Sequence, residues 1–330
     1  MKFFPLPFSR PPALSILLAL ALVGAASANA QDKWPVKPVR IIVPFTPGAA
    51  SDVLGRIVGI RLGEIWGQQL VVDNRPGAGG LIGSELTRSA APDGYTLAMV
   101  GQPHLTNVLM RAEKPYDPLK DYTPISFVAF THNVIVVGKG VNVEKIPDLI
   151  ALAKAKPGQL NYGSAGVGSS SHLAGALFVS KAGIDVVHVP FRQGADSRNA
   201  LITGTIHFYV YPLPAIMGML QAGTLRGLAV ASPKRAEALP NVPTSAEAGF
   251  GQYQSVSWFG LIGPRGLPPK LVSRINADAV KVLQEPATRE KIIQQGAQPG
   301  FGPPEHFEKM QRDEYVEIGA LVKQIGLKPN

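Results

Sequence analysis

Residues 39–56 read Val-Arg-Ile-Ile-Val-Pro-Phe-Thr-Pro-Gly-Ala-Ala-Ser-Asp-Val-Leu-Gly-Arg, and this stretch restricts the fold more than any other. Residues 39–43 are mostly apolar and β-branched, which predicts a buried strand ended by Pro44, whose nitrogen carries no hydrogen. Thr46-Pro47-Gly48 carries turn chemistry, and Ser51 or Asp52 suits the N-cap of a helix whose apolar face would comprise Val53, Leu54, Ile57 and Ile60. Strand, tight loop and helix start, in that order, leave loop and first-turn amides without backbone partners. These amides point at one small volume, which favours an anion. The same order also serves an ordinary βα connection, so this stretch alone leaves both readings open.

The pattern continues down the chain. Residues 69–73 read as a second strand, 74–80 as a loop, 81–90 as a helix and 95–100 as a third strand, an alternation that predicts a parallel sheet with helices on its faces. Gln102-Pro103-His104 follows the third strand, at the end of the sheet where open α/β folds hold ligands. Residues 125–137 form one long extended stretch, after which strands at 160–163, 186–189, 206–210 and 225–231 alternate with helices at 146–156, 173–182 and 197–203. Two such sets imply two α/β lobes. Residues 256–262 are a second extended stretch without a neighbouring partner, so they are paired with 125–137 as a second strand crossing between lobes. Helices at 269–284, 286–295 and 304–323 then return to the first lobe. Two lobes joined by two strands make a hinge, with the ligand cleft between them.

The chain has 330 residues, enough for a substantial core, and no cysteine, which removes disulfides, thiolate metal sites and thiol nucleophiles. Its start has the form of a secretory leader: Lys2 and Arg10, an apolar run over 13–26, and Ala28-Asn29-Ala30 before Gln31. Cleavage is expected after Ala30. Without Lys2 and Arg10 the basic side chains fall from 32 to 30 against 23 acidic, a formal charge of +7. That surplus steers anions or simply aids solubility. The basic residues are scattered, which argues against nucleic acid as a partner.

Motifs for catalysis are poorly matched. The glycines of 77–83 miss the dinucleotide pattern at Ile82, neither Ser164 nor Ser170 sits in a Gly-x-Ser-x-Gly elbow, and no His-x-x-x-His spacing occurs. What recurs is a loop of small residues between strand and helix, at 46–52, 163–171 and 192–196. Three such helix starts meeting in one cleft would hold a carboxylate through main-chain amides and hydroxyls. Small residues also permit close packing of helix on sheet, but three loops in register across two lobes exceed that need.

Several motifs together resemble the Bug-type receptors of tripartite tricarboxylate transporters. They are Pro44-Phe45-Thr46-Pro47-Gly48-Ala49-Ala50-Ser51-Asp52 with Arg56, Val72-Asp73-Asn74-Arg75-Pro76-Gly77-Ala78-Gly79-Gly80-Leu81-Ile82-Gly83, and Pro92-Asp93-Gly94-Tyr95. Further on, Asn161-Tyr162-Gly163-Ser164-Ala165-Gly166-Val167-Gly168-Ser169 with His172-Leu173, Val189-Pro190-Phe191-Arg192 and Ala222-Gly223 continue the match. The resemblance implies an α/β type II periplasmic binding protein: residues 1–30 a signal peptide, 31–130 and 258–330 lobe 1, 131–257 lobe 2. It implies a monomeric, non-enzymatic receptor without cofactor or metal, which delivers a small carboxylate to a two-subunit membrane permease. Carried over by position, it places Phe45, Thr46, Gly48, Ala49, Ser51 and Asp52 of the first lobe, and Ser164, Gly168 and Ser169 of the second, on the ligand. Arg192 approaches with the third loop, and Gln102 and His104 shape the distal end.

Departures from the family pattern bear on the ligand. Ala49 stands where paired glycines are usual, and Tyr211 and His207 stand where relatives often carry aspartate. Tyrosine supplies no charge for an ammonium group, so a ligand without an amino group is expected, a dicarboxylate or an aromatic carboxylate against Tyr211; Tyr211 also suits plain packing within the lobe. The rival readings are a secreted carboxylate-processing hydrolase or lyase, using Ser164 or Ser169 with His172 or His104, and a periplasmic sensor feeding a membrane kinase.

Overall fold

A computed structural model describes residues 34–138, 140–192 and 194–327. The expected leader and its cleavage position at Ala30 lie outside the described residues.

The first unit forms as its sequence requires. Strand β1 (Val39–Val43) leads through residues 44–49 into helix α1 (Ala50–Trp66), which ends on Gly67 in the left-handed region. The buried face of α1 differs from the expected one: Leu54, Val58 and Leu62 point inward, whereas Ile60 is exposed. The cause is glycine packing. A Cβ on Gly59 would lie 2.8 Å from Leu70 Cδ2, and one on Gly55 3.6 Å from Val43 Cγ2, so these glycines bring the helix onto the sheet and rotate Ile60 outward.

Strand β2 (Leu70–Asn74), helix α2 (Leu81–Arg88) and strand β3 (Thr96–Gly101) follow; β1 pairs in parallel with both β2 and β3. Residues 103–109, which follow the third strand, form helix α3 (Pro103–Leu109), with Pro103 in the first turn where its missing N–H is harmless. Strand β4 (Tyr122–Gly138) is the long extended stretch. Its first half pairs antiparallel with β9 (Val256–Pro264), from Tyr122 opposite Pro264 to His132 opposite Val256, and its second half with β7 (Phe208–Pro212) and β8 (Leu225–Val230). The expected pairing of the two long stretches is therefore present. At the change of sheet, Asn133 Nδ2 donates to Ser255 Oγ at 2.6 Å and Asn133 Oδ1 accepts from Ser257 Oγ at 3.1 Å.

The second set comprises helix α4 (Ile146–Ala155), strand β5 (Asn161–Ser164), helix α5 (Ser170–Ala182), strand β6 (Val187–Pro190), helix α6 (Gly194–Ile202) and helix α7 (Met217–Gln221). β5 runs parallel to β6 and β7. Helices α8 (Pro269–Gln284) and α9 (Pro286–Gln294), the short strand β10 (Ala297–Pro299) on β4, and α10 (Pro304–Gln324) complete the chain. The sheets are mixed rather than parallel, because β9, β10, β7 and β8 all run against β4. Separate apolar clusters serve the two sets: Ile42, Val100, Ile262 and Phe307 in one, Ile135, Phe178, Phe208 and Tyr253 in the other. The architecture is two α/β lobes joined through crossing strands.

Candidate functional site

Three strand-loop-helix junctions meet at one cavity of about 60 Å³. The first lobe contributes Phe45, Thr46, Ala49, Ala50 and Ser51 around the start of α1, with Pro103 and Phe259 beside them. The second lobe contributes Ser169, Ser170 and Ser171 at the start of α5, and Gly194 and Arg198 of α6. Tyr209 and Tyr211 of β7 close one wall.

Local chemistry holds each loop in place. In the first, Ala49 occupies the N-cap position and offers no side-chain cap, so the first amides of α1 face the cavity without one. Asp52 does not line that cavity. Its Oδ2 accepts from Gly48 N at 2.9 Å and Arg56 Nε at 3.1 Å, and its Oδ1 from Asn74 Nδ2 at 3.0 Å. Burial alone would raise its pKa, but the bonds from Arg56, Gly48 and Asn74 prevail and hold it below the ordinary carboxylate value. Asp52 thus braces the loop from behind, and Gly48, at φ +77, supplies one of the donors. Thr46 Oγ1 is buried and has no hydrogen-bond partner among the described residues.

In the second loop, Ser169 caps α5 and its hydroxyl donates to Gly166 O at 2.6 Å. Ser171 Oγ accepts from Ala165 N and lies 3.1 Å from the Tyr209 hydroxyl. Ser164 is fully buried and does not reach the cavity: its Oγ sits 2.7 Å from His188 Nε2 and accepts from Gly166 N at 3.2 Å. Gly168 also faces elsewhere, its carbonyl accepting from the Thr106 hydroxyl where the lobes touch.

The third junction departs most from the sequence reading. The helix expected to start at Ser197 starts three residues earlier, and the Ser197 hydroxyl donates back to Gly194 O at 2.8 Å inside it. Arg198 therefore stands one turn from Gly194 and lines the cavity, while Arg192 is exposed outside it. Arg198 is only 9% exposed. Its Nη2 donates to Pro47 O at 3.4 Å, and no carboxylate forms an ion pair with it among the described residues.

Tyr209 and Tyr211 alternate on one face of β7 and stack with centroids 3.5 Å apart. The Ser197 hydroxyl, already committed to Gly194, leaves the Tyr211 hydroxyl to donate to it at 3.0 Å. Burial raises both phenol pKa values, so both stay neutral donors. Tyr211 accordingly both lines the cavity and packs in its lobe.

Gln102 and His104 lie away from the cavity. Gln102 Nε2 donates to Glu314 Oε1 at 2.9 Å, and α3 carries His104 into a cage of Tyr116 and Tyr122, with Nε2 3.3 Å from Pro118 O. Burial lowers the His104 pKa to about 4, which keeps it neutral. Of the thirteen expected residues, Phe45, Thr46, Ala49, Ser51, Ser169 and Tyr211 are brought together. Gly48, Asp52, Gln102, His104, Ser164, Gly168 and Arg192 are not. Arg198, Ser171, Tyr209 and Phe259 also line the cavity, although the sequence did not point to them. No local sequence signal marks Arg198, because it is the start of α6 at Gly194 rather than at Ser197 that brings it to the cavity.

The comparisons with known proteins agree with this architecture. The sequence model described as "Tripartite tricarboxylate transporter family receptor" matches residues 54–327. Protein BugT of Bordetella pertussis is 32% identical over 311 residues, covering 94% of this chain and 95% of that protein. Among solved structures, R. palustris Rpa4515 with adipate is 35% identical at a TM-score of 0.87, covering 90% of this chain and 100% of that one. MatC from Rhodopseudomonas palustris with bound malate is 26% identical at a TM-score of 0.83, covering 88% and 100%. A match across nearly all of both lobes, on the two-lobed fold described above, means that the chain belongs to the Bug-type receptors of the tripartite tricarboxylate transporter family, which are periplasmic solute-binding proteins.

Proposed function

We propose that this receptor captures a small carboxylate lacking an amino group and hands it to a two-subunit membrane permease. One observation carries the reading: the starts of α1, α5 and α6 line one cavity that has no acidic side chain in its wall among the described residues. Helix N-termini favour anions. An ammonium group brought into that wall would be buried without a counter-charge, which costs several kcal/mol. Similar proteins solved with adipate and with malate support the carboxylate class. Phe45, Phe259, Pro103 and Ala49 supply apolar surface for a short carbon chain or a ring.

In this reading residues 31–130 with 258–330 and residues 131–257 are the moving bodies, and Asn133 sits at the hinge between them. The leader is removed after Ala30, and the mature receptor acts as a monomer. Ser164 is fully buried and its hydroxyl is bonded to the half-buried His188, while His104 is held in the core away from the cavity, which favours the receptor over a hydrolase.

The test is a thermal-shift screen followed by calorimetry over adipate, malate, benzoate, aspartate and glutamate. Tm rises with the acids that lack an amino group, which are recovered unchanged, and not with the amino acids. Tight binding of aspartate or glutamate with no response to the others refutes the reading.

A further inference from the structure

The geometry points to Arg198 as the specificity-determining residue of the cleft: its guanidinium receives an acid group of the ligand and, without one, makes closure of the lobes unfavourable. This rests on the receptor reading above and adds a residue and a coupling to it.

Arg198 belongs to α6 in the second lobe but reaches the first. Its Nη2 is 3.4 Å from Pro47 O and 3.6 Å from where a Cβ on Gly48 would lie, and its Nη1 is 3.8 Å from the corresponding point on Gly194. It is nine-tenths buried on the cavity wall, and among the described residues it is the only charged side chain there. A guanidinium carries five N–H donors in a fixed fork, and a single long bond to a carbonyl oxygen satisfies little of it. Across the cavity, the Thr46 hydroxyl is buried and unpartnered, 3.4 Å from the same point on Gly194. The donors of Arg198 and the hydroxyl of Thr46, both without further partners among the described residues, therefore border one volume, the first from one lobe and the second from the other.

The consequence is a difference between the open and closed states. Opening returns the guanidinium to water; closing buries it beside a carbonyl, and a buried charge without a counter-ion is costly. A carboxylate in the cleft removes that cost through charge-assisted, bidentate hydrogen bonds. A neutral amide of the same shape does not. Closure is thus tied to the ligand's charge, and a ligand shifts an equilibrium only by its differential affinity for the two states.

The experiment compares the full mature receptor with Arg198→Met and Arg198→Lys. Calorimetry with adipate and with its neutral diamide reads selectivity. The absence of native cysteine allows Ala91→Cys and Asn142→Cys, both at exposed positions, to carry spin labels that read the distance between the lobes. Arg198→Met weakens adipate by roughly 10- to 100-fold, narrows its preference over the diamide, and raises the closed fraction without ligand. Arg198→Lys keeps part of the affinity. Wild-type affinity and selectivity in Arg198→Met, or an unchanged ligand-free distance distribution, overturns the assignment and leaves the receptor reading standing. If the wild type binds none of the acids, the receptor reading fails by itself, and the ligand-free distances still decide whether Arg198 opposes closure.

Discussion

Ser164 Oγ lies 2.7 Å from His188 Nε2, a pairing that braces the second loop from beneath. The His188 ring stacks on His172 with centroids 4.0 Å apart, and His172 Nδ1 accepts from Gly168 N at 3.4 Å. The loop that carries Ser169 to Ser171 is thus held from below by two neutral imidazoles.

The first prediction concerns that brace. Ser164→Ala leaves the half-buried His188 Nε2 and Gly166 N without their shared partner, so stability falls by about 1–2 kcal/mol. Ligand affinity changes by less than about threefold, because the hydroxyl does not reach the cavity. Urea unfolding and calorimetry check the two parts, and a large affinity loss at unchanged stability contradicts them.

The histidines also predict an acid limit. Burial pushes His172 to about 4, and burial together with His172 pushes His188 to about 3, from an ordinary value of 6.5. As pH falls below 6.5 the unfolded chain takes up protons that the folded protein refuses. Their contribution is therefore complete above pH 6.5 and is lost as pH falls towards 4. Urea midpoints measured from pH 7.5 to 4.5 should decline across that window.

Glu314 acts in the opposite sense. Burial raises it from 4.5 to about 7, against the hydrogen bonds from Gln102 and Trp258. The folded protein retains a proton that the unfolded chain sheds, so this contribution is complete below pH 4.5 and is lost as pH rises through 7. Glu314→Gln removes the compensation, and its urea midpoint should fall more steeply between pH 6.5 and 4.5 than that of the wild type. Parallel profiles would show that Glu314 titrates normally.

Contact between the lobes depends on Gly79. It has φ +70, and an added Cβ would stand 2.3 Å from Val167 O, a backbone atom of the opposite lobe. On its own side of the junction, Asn107 Nδ2 donates to Gly79 O at 2.8 Å and fixes the position of Gly79. Gly79→Ala should hold the lobes apart and weaken ligand binding at least about tenfold, since strain at such a position costs about 1–3 kcal/mol. Circular dichroism should stay native. Calorimetry showing wild-type affinity would remove this contact from the closed state.

Asp52 yields a comparable test in the first loop. Asp52→Ala frees Gly48 N, Arg56 and Asn74 together, and both stability and affinity should fall, the latter through loss of the loop's shape. Asp52→Asn should retain part of both, because its carbonyl oxygen can still accept from Gly48 N. Equal losses in the two variants would mean that charge, rather than the hydrogen bond to Gly48, holds the loop.

Neighbouring residues suffice to read the strands, turns and small-residue loops, because Pro44, Pro47-Gly48 and Gly163 act on the backbone within a few positions of themselves. The order of these units, the long stretch of β4 and its pairing with β9 follow from the same local signals, and with them the two lobes. The rest depends on contacts between distant positions. Gly59 against Leu70 rotates α1, and the cage of Tyr116 and Tyr122 draws His104 into the core. His188 claims Ser164 from 24 residues away. Arg192 and Arg198 are alike as residue types, and only the start of α6 at Gly194 turns the second of them into the cleft. Side-chain direction is set by what packs behind it, and for Arg198 that partner, Pro47, lies 151 residues earlier in the chain.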